Sequence, residues 1–175
     1  RVHALVNLSP YFSNLIELRD LLSDLAQLAD ARTQADYLVQ LARHYPEQSL
    51  PALYQVARAV PIAADRGRAL VELLPILPEQ LREEALDRAL DSIASVDFYL
   101  NRRRLIEQVS PFVAQLEPAQ LYDVWSKLLR SFAQRPRRDL VEDLAALAPI
   151  AAQLGGSDLL VGIAEVIIET GDWWP

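Results

Sequence analysis

The chain has 175 residues, no cysteine and a formal net charge of −7, with a pI near 4.8. Half of it is hydrophobic (51%) and 23% is charged, a balance that excludes a disordered chain. The missing cysteines exclude a disulfide framework and thiolate chemistry, and the acidity makes nucleic acid an unexpected partner, because such binding is driven by neutralising phosphates.

Taken in order, the sequence alternates two kinds of element. A Leu-x-x-Leu run followed by a small residue and proline opens the chain at Ala4-Leu5-Val6-Asn7-Leu8-Ser9-Pro10, and an amphipathic helix is predicted over Leu15–Ala29. A weaker copy follows at Ala35-Asp36-Tyr37-Leu38-Val39-Gln40-Leu41-Ala42, with Arg43 at the proline position and Pro46 just beyond. The helix after it, Leu50–Ala64, contains Pro61, which should end or kink it near Val60. A third copy, Ala69-Leu70-Val71-Glu72-Leu73-Leu74-Pro75, leads into a helix over Glu79–Ala94, opened by Pro78. Its apolar residues Leu81, Ala85, Leu86, Ala89, Leu90 and Ile93 fall on one helical face. A fourth, Leu105-Ile106-Glu107-Gln108-Val109-Ser110-Pro111, precedes a helix over Pro118–Ala133. The fifth, Asp143-Leu144-Ala145-Ala146-Leu147-Ala148-Pro149, is followed by Gly155-Gly156-Ser157-Asp158, a helix stop and N-cap, and by a last helix over Ser157–Thr170.

The anchors at 10, 43, 75, 111 and 149 are separated by 33, 32, 36 and 38 residues. That is the length of one helix-turn-helix repeat, and no stretch alternates with period two. The expected fold is therefore all-α: a right-handed α-solenoid of about five antiparallel hairpins, one domain over 1–175 with units 1–33, 34–67, 68–101, 102–137 and 138–175. The first helix of each hairpin should be short, with its end shaped by the proline.

Catalytic patterns are lacking. His3 and His44 have no metal-ligating neighbour at helical spacing, and there is no His-Glu-x-x-His or Gly-x-Ser-x-Gly motif. Glu83 and Glu84 point to different faces of their helix. No enzyme, metal or cofactor is expected. The longest apolar runs, such as 144–154, are shorter than the roughly 20 residues of a membrane span, and no signal-peptide pattern is found, so a cytoplasmic protein away from membranes is expected. The absence of methionine even at position 1 suggests a fragment whose activity lies upstream.

Two features stand out. Of 17 basic residues 16 are arginine, and many sit at unit junctions: Arg32, Arg66 and Arg68, Arg102-Arg103-Arg104, and Arg135, Arg137 and Arg138. Such an edge can cap helix C-termini and pair with acids of the next unit, or can present guanidinium groups to an anionic ligand or acidic protein. Trp173-Trp174-Pro175 can seal the last hairpin or anchor a partner. Candidate binding residues are thus Arg66, Arg68, Arg102, Arg103, Arg104, Arg135, Arg138, Trp173 and Trp174.

The stretch Leu144-Ala145-Ala146-Leu147-Ala148-Pro149-Ile150-Ala151-Ala152-Gln153-Leu154-Gly155-Gly156, with Ile167-Ile168-Glu169-Thr170-Gly171-Asp172-Trp173-Trp174-Pro175, resembles the C-terminal end of degenerate HEAT-like or TPR-like repeats in large bacterial multidomain proteins. The resemblance implies an upstream TIR, caspase-like or NACHT-type (STAND) NTPase module, and a sensor or scaffold that controls it in signalling or anti-phage defence. It implies a protein partner or another domain of the same polypeptide, with oligomerisation possible, and carries over no catalytic residue. A purely structural oligomerisation or spacer domain is the alternative.

Overall fold

The computed structural model describes residues 15–44 and 47–172, less the side chains of 15–18 and 172. The described residues are all-helical, with eight α-helices and no strand. In chain order these are α1 (Leu15–Ala26), α2 (Ala31–Ala42), α3 (Leu50–Arg58), α4 (Ala63–Leu73), α5 (Glu79–Ala94), α6 (Tyr99–Val113), α7 (Pro118–Phe132) and α8 (Arg137–Glu169).

Local chemistry sets many of these limits. Asp30 caps α2, its carboxylate accepting the Thr33 N–H at 3.2 Å and also the Thr33 hydroxyl. Pro61 acts as expected: α3 stops at Arg58, and the Val60-Pro61 turn leads into α4. Pro118 occupies the first turn of α7, where its missing N–H costs nothing, and the Glu117 N–H donates to Gln120 Oε1 at 3.2 Å.

The repeat prolines behave less uniformly than the sequence suggested. Helix α4 ends at Leu73, before Pro75. Helices α6 and α8 instead run through Pro111 and Pro149. Both prolines are exposed, and the carbonyls they orphan belong to Glu107 and Ala145, residues exposed to solvent, which lowers the cost of the lost bond. The first helices are consequently not short. They begin upstream of their Leu-x-x-Leu runs, at Ala31, Ala63, Tyr99 and Arg137.

The chain divides into two compact units, residues 1–92 and 93–175, with the division falling in the last turn of α5. In the first unit α1 packs on α2 and α3, α2 packs on α3 and α4, and α3 packs on α4. Its core holds Leu25, Leu38, Leu41, Leu53, Leu70 and Leu73, all fully buried. In the second unit α8 covers both α6 and α7, around Ile106, Val109, Leu128, Phe132, Leu147 and Ile150.

Helix α8 is broken. Gly155 (φ −146°, ψ 17°) and Gly156 (φ 63°, ψ −155°) leave the helical region, so a first arm over 137–154 turns into a second over 157–169. By length and composition α8 could cross a membrane, yet its apolar stretch is interrupted by this bend. Gly156 lies in backbone space that only glycine occupies without strain, although a Cβ there would meet no neighbour. Gly156→Ala is therefore expected to cost about 1–3 kcal/mol through the backbone alone, read as a lower urea midpoint at unchanged m-value. An unchanged midpoint would show that the bend relaxes freely.

Candidate functional site

The fourth residue of each first helix is Gln34, Arg66, Arg102 and Leu140. The two arginines make the same structure. Arg66 Nη1 donates to the carbonyls of Val60 at 2.9 Å and Pro61 at 3.2 Å, while its Nε donates to Ser92 Oγ at 2.9 Å. Arg102 Nη1 donates to Val96 O at 2.6 Å and Asp97 O at 2.9 Å, the same offsets back along the chain. Each guanidinium thus fills the carbonyls left free in the turn before its own helix. Arg82 does similar work one turn further on, donating to Leu74 O at 3.1 Å and Leu77 O at 2.8 Å.

Arg102 goes further. It is fully buried, as is Asp143 on the first arm of α8. Its Nε lies 2.7 Å and 2.9 Å from the two carboxylate oxygens, and Nη2 makes an ion contact of 2.7 Å with Oδ2. Asp139 stands 3.9 Å from the same Nη2. Burial pushes the Asp143 carboxyl above its ordinary range, and the Arg102 fork pulls it back only in part. Beneath the pair lies the Phe132 ring, 5.3 Å from the Arg102 guanidinium and 5.9 Å from that of Arg135. Arg135 reaches back to Ala94 O at 2.8 Å, a carbonyl that also accepts the Ser131 hydroxyl at 3.0 Å.

The other candidate arginines lie nearer the surface. Arg68 pairs with Asp36 of the preceding first helix. Arg103 bonds Glu107 at 2.9 Å and reaches Glu142 at 3.3 Å. Arg138 stacks over the Tyr99 ring at 5.6 Å, and Arg104 is exposed. Of the nine candidates, Arg66, Arg68, Arg102, Arg103, Arg135 and Arg138 are engaged with the protein's own groups. Trp173 and Trp174 lie outside the described residues, as does His3, and His44 is exposed in the turn after α2. No cluster of three or more metal-ligating side chains occurs among the described residues.

A second feature lies where the series of fourth-position arginines ends. Leu140 replaces the arginine in the last repeat and faces a cavity of about 560 Å³ between α7 and the two arms of α8. Trp125 and Leu129 come from α7, Val141 and Leu144 from the first arm, and Leu159, Ile163, Val166 and Ile167 from the second. Besides the Trp125 indole, Arg137 and Thr170 are its polar side chains. Arg137 Nη2 donates to Ile167 O at 3.0 Å, and the Thr170 hydroxyl donates to Val166 O at 2.7 Å. The sequence reading missed this cavity. Its signals were there: a leucine where the two preceding repeats carry Arg66 and Arg102, and Gly162 inside a predicted helix.

Compared with known proteins, the chain matches no family model, no curated protein and no solved structure.

Proposed function

We propose that the chain is a right-handed α-solenoid segment of about five hairpins that acts as a non-catalytic interaction module. It recognises a helical hairpin of a protein partner, or of another domain of its own polypeptide, and so regulates an attached effector. The solenoid reading is supported by packing within each unit. First helix lies on first helix (α2 on α4, α6 on α8), and second on second (α1 on α3). The regulatory role rests on the resemblance of 138–175 to repeat regions of bacterial signalling proteins.

The observation that carries the interaction surface is the outer side of the second arm of α8. Val161, Ala164 and Ile168, at i, i+3 and i+7, form an exposed stripe bordered by Glu165, with Val161 55% and Ile168 75% exposed. A terminal repeat left bare needs a polar outer face. This face continues the apolar character that packs α2 on α4 and α6 on α8, so a hairpin docked as the next repeat would be is the fitting occupant.

The test is amide hydrogen exchange over 157–169 in the polypeptide as its own cell makes it. Protection there, lost in a Val161→Glu, Ile168→Glu variant whose other helices stay protected, is the expected result. Equal exchange in both proteins would refute the surface. The second reading, an oligomerisation or spacer domain, is favoured by the internal engagement of most of the arginine edge. It predicts concentration-dependent self-association of the purified chain in sedimentation, abolished by the same two substitutions, whereas a module for a different partner stays monomeric.

A further inference from the structure

We infer that the cavity between α7 and the arms of α8 is a binding site for a small anionic amphiphile, with an aliphatic tail among the leucines and an acidic head at Arg137. This goes beyond the proposed interaction surface, which lies on the outer stripe of the second arm.

Three observations carry it. The first is size and lining. A half-open groove of about 560 Å³, lined almost entirely by apolar side chains, falls within the roughly 300–1,000 Å³ typical of small-molecule sites, and besides the Trp125 indole its polar side chains are Arg137 and Thr170.

The second is Gly162. A glycine inside a helix costs about 0.5–1 kcal/mol relative to alanine. Here the backbone is ordinary helix, and an added Cβ would find nothing within 4 Å. No close neighbour demands the missing side chain. What glycine does is leave one wall of the cavity open. Were this space merely a packing defect, alanine would begin to fill it without a clash.

The third is Arg137. Its Nη2 is fixed by the Ile167 carbonyl and passes close over Gly171, where a Cβ would sit 3.0 Å from that nitrogen. The anchor occupies one N–H of a group that carries five donors. A carboxylate or phosphate meeting the remaining fork gains charge-assisted hydrogen bonds beside a low-dielectric wall. The hydroxyl of Thr170 already donates to the helix backbone, so its oxygen is an acceptor, and the recognition of negative charge falls to Arg137.

The test is calorimetric titration of the purified chain with dodecanoate below its micelle concentration, beside dodecanol and dodecyltrimethylammonium. Saturable binding of dodecanoate, weaker binding of dodecanol and none of the cation are expected. Arg137→Gln should weaken dodecanoate by about tenfold or more while leaving dodecanol unchanged. Gly162→Leu should abolish binding of both while its thermal midpoint stays at or above that of the wild type, which separates a filled cavity from a damaged fold. Gly162→Ala is the conservative companion, with a partial loss of affinity. Absence of saturable binding to the wild type, full binding to Gly162→Leu, or equal losses of dodecanoate and dodecanol in Arg137→Gln would each overturn the assignment. So would binding confined to anionic phospholipid vesicles with none to monomeric dodecanoate.

Discussion

Asp143→Ala is expected to destabilise the second unit by about 3–5 kcal/mol, because it leaves the Arg102 guanidinium buried without its counter-charge. The size follows from geometry. Both partners are fully buried, and the carboxylate meets Nε and Nη2 at 2.7–2.9 Å. The charge has little way out, since Nη1 is tied to the carbonyls of Val96 and Asp97. One group can lessen the loss: Asp139, one turn earlier on the same helix and already 3.9 Å from Nη2, can swing toward the vacated space. Asp139→Ala combined with Asp143→Ala should therefore cost more than the two single losses together, a coupling that a double-mutant cycle in urea reads directly. Asp143→Leu combined with Arg102→Met removes the charge pair but strands two carbonyls. It should recover part of the loss without reaching wild-type stability. A wild-type urea midpoint for Asp143→Ala would show that water reaches Arg102.

This pair also marks the limit of what the sequence reveals. Periodic leucines and alanines are enough to place Glu79–Ala94 and the start of α7 at Pro118, because amphipathic spacing and proline punctuation are local signals. The end of α1 comes earlier than the pattern implies, at Ala26, because side-chain periodicity does not report where backbone hydrogen bonding stops, whereas α3 ends at Arg58, ahead of Pro61 as that proline signals. The arginine edge was visible as composition at the unit junctions. That Arg102 is buried while Arg103 and Arg104 are exposed follows from which face of α6 meets α8, and its acid lies 41 residues downstream. No spacing within a single repeat encodes such a partner. The cavity was invisible for a related reason: it depends on the bend at Gly155-Gly156. That bend reads in sequence as a simple stop, yet in space it turns the second arm back beside the first.

Phe132→Ala should rival the loss of Asp143, at about 3–5 kcal/mol, since a fully buried aromatic side chain at the end of α7 is replaced by a void. Volume is only part of its role. The ring lies under two guanidinium groups, those of Arg102 and Arg135, and its face supplies negative quadrupole density that an aliphatic residue lacks. Arg135 needs that contact, because its Nε is buried without a hydrogen-bond partner among the described residues. Phe132→Leu separates the two contributions. It keeps most of the apolar volume and discards the ring, so a loss of about 1–2 kcal/mol is expected. The decisive measurement is the cycle with Arg135→Gln. If the ring holds the guanidinium, the two substitutions together cost less than the sum of the singles, since each removes the same interaction. Strict additivity would show that the ring does not hold Arg135 and would leave its contact with the Arg102 guanidinium as the one cation–π role Phe132 could play.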